Sequence, residues 1–242
     1  MARARGGKAA AEPDGVAEQA AAAIAWLRRR GSKAGRDGMA RFALPSDKAF
    51  GVSVGEIQSL AKKLGKSHAL AGALWATEWH EARMLASYVD EPAEVTAAQM
   101  DRWAGDFDNW GICDTLCFVL FDRAPHAWKK VDEWSAREDE FVKRAGLALL
   151  WSLSVHDKDA PDTRFLKGLA IIEREAQDER HFVKKAANMA LRAIGKRNAA
   201  LHKASVATAT RLAVRDSASA RWIGKDALRE LRSPSVARRI AR

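Results

Sequence analysis

The chain has 242 residues, 48% of them hydrophobic and 30% charged, with a formal net charge of +10, and it is long enough to bury a sizeable core. No uninterrupted apolar run approaches the roughly 20 residues that cross a bilayer, and the N-terminus lacks a secretory apolar stretch, so a cytoplasmic protein with no membrane partner is expected. The charge is concentrated: residues 183–242 carry fifteen Lys and Arg against Asp216, Asp226 and Glu230, a balance of +12 on an otherwise near-neutral body, which is the footprint of a protein that holds a polyanion in a defined orientation.

In chain order, residues 1–14 mix Ala, Gly, Arg and Pro without apolar periodicity and are expected to form a disordered tail. Residues 15–242 are then expected to form one α-helical repeat domain. A first helix over Val16 to Arg30 has Ala23, Ile24 and Leu27 on its apolar side, with Gly31 as its C-cap. The Gly-rich stretch up to Val54, which contains Pro45, is either a long loop or a short helix around Met39 to Phe42. From Val54 the pattern predicts helices over Val54–Leu64, His68–Thr77, His80–Val89, Thr96–Ala104, Trp110–Phe121, Pro125–Glu133, Glu138–Leu153, Asp162–Glu175, His181–Ile194, Ala199–Val214 and Ser219–Leu231. No stretch alternates as a strand would, so the class is all-α.

The segment from Asp106 to Asp122, DFDNWGICDTLCFVLFD, places an aromatic ring and a carboxylate four residues apart. Trp110 and Asp114 therefore share one helix face, while Ile112, Leu116, Val119 and Leu120 form the buried stripe. Asp114 lies just off that stripe, where a carboxylate is partly desolvated without being buried outright. Cys113 and Cys117 suit packing better than a disulfide, and no adjacent Cys/His pair completes a metal site. His80, His156, His181 and His202 are assigned to capping or surface positions. With no Gly-rich phosphate loop and no Ser-His-Asp order, no cofactor is expected.

A repeat is legible: FVKRAGLALLW begins at Phe141 and FVKKAANMALR at Phe182, a spacing typical of stacked HEAT-type helical pairs. The stripes Val142, Gly146, Leu149, Leu150 and Val183, Ala187, Ala190, Leu191 match that of the earlier helix. In this register Asp114, Arg144, Lys185 and Lys225 form a column on one wall, extended by Met189, Arg192 and Lys196. A cationic column suits a phosphate backbone, and a carboxylate within it repels that ligand. Asp114 therefore either acts on a positive charge in a substrate or pairs with Arg144 to order the groove.

Several blocks together resemble the DNA alkylation repair family of HEAT-like-repeat DNA glycosylases, of the AlkD type. They are KAFGVSV at Lys48, HEARMLAS at His80, DFDNWGICD at Asp106, EFVKRAG at Glu140, VHDK at Val155, FVKKAANMALRAIGKRN at Phe182 and ARWIGKDALREL at Ala220. The resemblance implies a curved solenoid whose concave basic groove holds duplex DNA, acting as a monomer that excises cationic N3- and N7-alkylated purines. Such a base leaves without a general acid, so a single carboxylate that stabilises the oxocarbenium-like sugar suffices. The resemblance puts that role on Asp114, with Trp110 cradling the cation and Arg144 on phosphate. Lys143, Lys185, Met189, Arg192, Lys196, Arg197 and Lys225 complete the expected DNA contacts. Met189 stands where the family has a second active-site Trp, which keeps open a non-catalytic DNA-binding protein that recognises distorted or branched DNA. The other tryptophans are assigned to packing, least firmly Trp151, which the repeat offset pairs with Arg192.

Overall fold

The computed structural model describes residues 13–240. The expected tail therefore lies, up to residue 12, outside the described residues; Pro13 and Asp14 belong to the first helix. That helix starts earlier than the apolar pattern suggests because Pro fits a first helical position, where its fixed φ suits and its missing N–H is not needed.

The described residues contain helices and no strand, and they divide into two compact units, one ending at Glu91 and the other starting at Pro92. The first unit holds α1 (Pro13–Arg30), α2 (Lys33–Ala40), α3 (Val54–Leu64), α4 (His68–Trp75) and α5 (His80–Val89). The stretch read as a long loop or a short helix around Met39 to Phe42 instead holds helix α2 over Lys33–Ala40, with turns and loop from there to α3. Helix α2 buries none of its residues and is held by its Ser32 cap, whose hydroxyl accepts from the Gly35 N–H at 3.0 Å, so apolar periodicity could not mark it. The loop before α3 is fixed by Glu81 of α5. Its buried carboxylate accepts the backbone N–H groups of Phe50, Gly51 and Val52 at 2.6–3.2 Å, and Gly51 supplies the positive φ of 81° that the turn needs.

The second unit holds α6 (Ala97–Gly105), α7 (Trp110–Val119), α8 (Ala127–Ser135), α9 (Glu140–His156), α10 (Asp162–Glu175), α11 (His181–Ile194), α12 (Ala199–Leu212), α13 (Ala218–Leu231) and α14 (Pro234–Ile240), with short 3₁₀ turns at Pro92–Glu94 and Phe121–Arg123. They form stacked pairs, α8 on α9, α10 on α11 and α12 on α13, and within the stack α9 packs on both α7 and α11. The expected stripes of α9 and α11 are buried throughout, as are Ile112, Leu116 and Leu120 of α7. Val119 is only half-buried; Cys113 and Cys117 fill the stripe instead. Their thiols donate to the Phe141 and Ala145 carbonyls of α9 at 3.6 and 3.5 Å, and burial pushes the Cys117 thiol well above its ordinary value. These are packing cysteines.

The pairing of α11 with α13 departs from the sequence register. Asn188 donates to the Ile223 carbonyl at 3.2 Å and Lys196 meets Glu230 at 2.6 Å, so Ile223 lies beside Asn188 and not beside Val183. Lys225 is correspondingly displaced along the wall relative to Lys185. On its other side α13 approaches α12 closely: a Cβ on Gly224 would lie 2.3 Å from the Ala213 backbone nitrogen.

Candidate nucleic-acid interface

Asn109 starts α7: its side-chain oxygen accepts from the Ile112 N–H at 3.0 Å. This places Trp110 at the first helical position and Asp114 one turn later on the same side. Both are half-buried. Arg144, in the first half of α9, points at Asp114 and makes a two-pronged pair with it: Nε to Oδ1 at 2.9 Å and Nη2 to Oδ2 at 2.6 Å. The third guanidinium nitrogen, Nη1, donates to the Phe182 carbonyl at the start of α11 at 2.6 Å. One side chain thus ties three successive inner helices together at the level of Asp114.

The pair is protected from water, with side-chain exposures of 17% for Asp114 and 4% for Arg144. Burial pushes Asp114's carboxyl above its ordinary value, with the Arg144 guanidinium pulling the other way. On Arg144, burial opposes the charge, and the charge and hydrogen bonds of Asp114 more than restore it. A carboxylate oriented by a fixed fork, with both oxygens already accepting, is suited to stabilising a nearby cation electrostatically and poorly suited to abstracting a proton. His181, exposed beside this group, is held below its ordinary pKa by burial and by Lys185, Lys184 and Arg144.

The other expected residues divide by environment. Lys185 and Lys225 are exposed, with no ion-pair partner among the described residues. Met189 is half-buried on α11. Arg192 bridges Asp226 and Glu230 of α13, and Lys196 shares Glu230. Arg197 donates to the Ser154 carbonyl at 2.8 Å and stacks over Phe165 at 3.9 Å. Lys143 turns away from Arg144, by the 100° that separates neighbours on a helix, and meets Glu175 at 2.7 Å and Asp178 at 3.5 Å. Asp114 and Arg144 are thus brought together, Lys185 and Lys225 are left without an ion-pair partner among the described residues, Lys143, Arg192 and Lys196 meet carboxylates of the fold, and Arg197 is held by carbonyls and a ring alone.

Trp222, assigned to packing from the sequence, is 39% exposed. The Lys184 ammonium lies 5.9 Å from its ring centre. The signal was available: Trp222 precedes the buried Ile223 and lies three residues from Lys225, on that lysine's side of α13. Among the described residues no group of His, Cys, Asp and Glu could hold a metal ion, and no helix is long and apolar enough to cross a membrane.

Helices stacked in pairs in this way define the class of HEAT-like helical repeat proteins. The family model described as "DNA alkylation repair enzyme" matches residues 23–231, and the chain belongs to that family. The fold is similar to that of a solved structure described as "A new family of proteins related to the HEAT-like repeat DNA glycosylases with affinity for branched DNA structures", with a TM-score of 0.72 and 20% identity over 87% of this chain and 94% of that one. No curated protein matches the sequence.

Proposed function

We propose that this member is a monofunctional DNA glycosylase that hydrolyses the N-glycosidic bond of cationic alkylated purines, of the 3-methyladenine and 7-methylguanine type, in duplex DNA. The observation that carries the reading is the Asp114–Arg144 fork beside Trp110. A cationic base leaves with its bonding electrons and no added proton, so the barrier lies in the positive charge left on the sugar. A carboxylate held ionised in a poorly hydrated position opposes that charge, and the indole face attracts the cation before it leaves. Exposed Lys185 and Lys225 neutralise phosphates. Base release from a duplex containing one 7-methylguanine, scored as alkali-labile cleavage, tests it. Release should fall at least about a hundredfold in Asp114→Asn, with duplex binding retained. Melting must be followed in parallel, because the variant leaves Arg144 buried without its counter-charge.

A second reading has its own support. Both Asp114 oxygens are already committed to Arg144, Met189 lacks a ring to face a cation, and the similar solved protein is described as binding branched DNA. On that reading the same surface recognises distorted DNA without chemistry. It predicts binding of duplexes carrying 7-methylguanine and 3-methyladenine with no base released from either.

A further inference from the structure

A second feature lies on the second unit, at the C-terminal ends of α9 and α11. There a cavity of about 350 Å³ opens between Trp151, Lys158, Asp162, Lys196, Arg197 and Arg239. Its volume is within the roughly 300–1,000 Å³ of small-ligand sites. Four of these six side chains are cationic, and the one acid, Asp162, is already engaged by the Asn198 amide at 2.9 Å. Arg197 has no carboxylate partner: it is held by the Ser154 and Lys158 carbonyls, and its Nε is buried with nothing to donate to. Lys196 leans on Glu230, yet burial and the neighbouring Arg192 and Arg239 hold its ammonium below its ordinary pKa. Lys158 and Arg239 are exposed. Set against Asp162 in the lining and Glu230 behind Lys196, the four cations leave an excess of positive charge, which points to an anion as the occupant.

The ring identifies the kind of anion. Trp151 is half-buried, and Phe118 of α7 braces it edge-on at 4.4 Å. His156 also stands edge-on to Phe118, 5.7 Å away, and is itself held by the buried carboxylate of Asp122 at 2.5 Å. A rigid indole next to clustered cations is how proteins hold a base and its phosphate together. The bases of an intact duplex are stacked on one another and cannot reach a ring set in a cavity; an unpaired base can. The cavity also continues the wall of Lys185, Met189 and Arg192, since Lys196 belongs to both. A strand following that wall away from Asp114 arrives here after roughly 16 Å of helix.

We propose that this cavity binds an unpaired nucleotide, with its base on Trp151 and its phosphate among Lys158, Lys196, Arg197 and Arg239. The proposal rests on the DNA-binding reading above and extends it to the nucleotide's pairing state. The nucleotide has two sources, one extruded from within a duplex and one on a single-stranded arm.

The test uses the full chain and three fluorescein-labelled DNAs of equal duplex length: blunt, with one bulged thymidine, and with a 3′ single-stranded arm. Anisotropy should give about tenfold tighter binding to one or both of the latter, the gain expected from stacking a single base. A gain on the bulge alone assigns the extruded source, and a gain on the arm alone assigns the strand end. Trp151→Ala, and separately Lys158→Ala with Arg239→Ala, should each remove the gain and leave blunt-duplex affinity unchanged. The exposed Lys158 and Arg239 pair carries the test if Trp151→Ala fails to fold. Equal affinity of the native chain for all three DNAs, or a gain that survives both variants, overturns the proposal while leaving the DNA-binding reading intact. No binding to any of the three overturns both.

Discussion

At Asp114 two effects oppose one another, burial being the larger, and the residue's use depends on its charge. Removal from water favours the neutral acid, whereas the Arg144 fork favours the anion. Only the anion stabilises a cationic sugar, so base release by the native chain should fall as the pH is lowered through the Asp114 pKa. Because burial raises that pKa, the acid limb should lie above the ordinary 3.8 of an aspartate. Arg144→Met removes the opposing charge and should move the limb further up, so that at a fixed mildly acidic pH the variant loses more of its activity than the native chain. A pH–rate profile of single-turnover release reads both effects. A native limb at or below the ordinary carboxylate value would mean that Asp114 is not the group whose charge matters. The sequence placed Asp114 correctly beside Trp110 and Arg144, because all three positions follow from helix period and repeat offset. It could not say that the fork closes, since a hydrogen-bonded pair and two side chains facing a shared ligand have the same spacing.

At the scale of helices, what was legible is what periodicity encodes. Helices α3, α5, α10 and α11 begin and end where the pattern puts them, since each has a well-marked apolar face; only α3 also begins at a side-chain cap, Ser53. The misses have other causes. Helix α2 has no buried face; α7 gives way at Leu120 to a 3₁₀ turn; and neither the α11–α13 register nor the close backbone approach of α13 to α12 at Gly224 is encoded by stripes of similar residues. Gly146 is the corresponding device on α9. A Cβ there would sit 2.5 Å from the Ser135 backbone nitrogen of α8, and backbone cannot step aside as a flexible side chain would. Gly146→Ala should therefore destabilise the chain by about 1–3 kcal/mol through overpacking. Gly72→Ala in α4, where nothing lies within 4 Å, should instead stabilise by about 0.5–1 kcal/mol through helix propensity. Thermal melts followed by circular dichroism compare the two, and equal effects would deny the close approach of α9 to α8.

Over the whole molecule the +12 of residues 183–242 overstates the charge available to DNA. Arg192, Lys196, Arg211, Arg215 and Arg229 each meet a carboxylate of the same fold, and a cation already neutralised releases few counterions when a phosphate arrives. The salt dependence of binding therefore counts free cations, and it separates residues that sequence alone treats alike. Lys143 and Lys185 are both lysines near the repeat column, but Lys143 is closed in by Glu175 and Asp178 whereas Lys185 is exposed. Lys185→Gln should lower the slope of log affinity against log salt by about one, whereas Lys143→Gln should leave it unchanged. The measurement is anisotropy of a blunt duplex across a salt series for the native chain and the two variants. A change in slope for Lys143→Gln equal to that for Lys185→Gln would mean that its carboxylate partners release it on binding and that DNA reaches the side of α9 turned away from Arg144. An unchanged slope for both would place the duplex off this wall altogether.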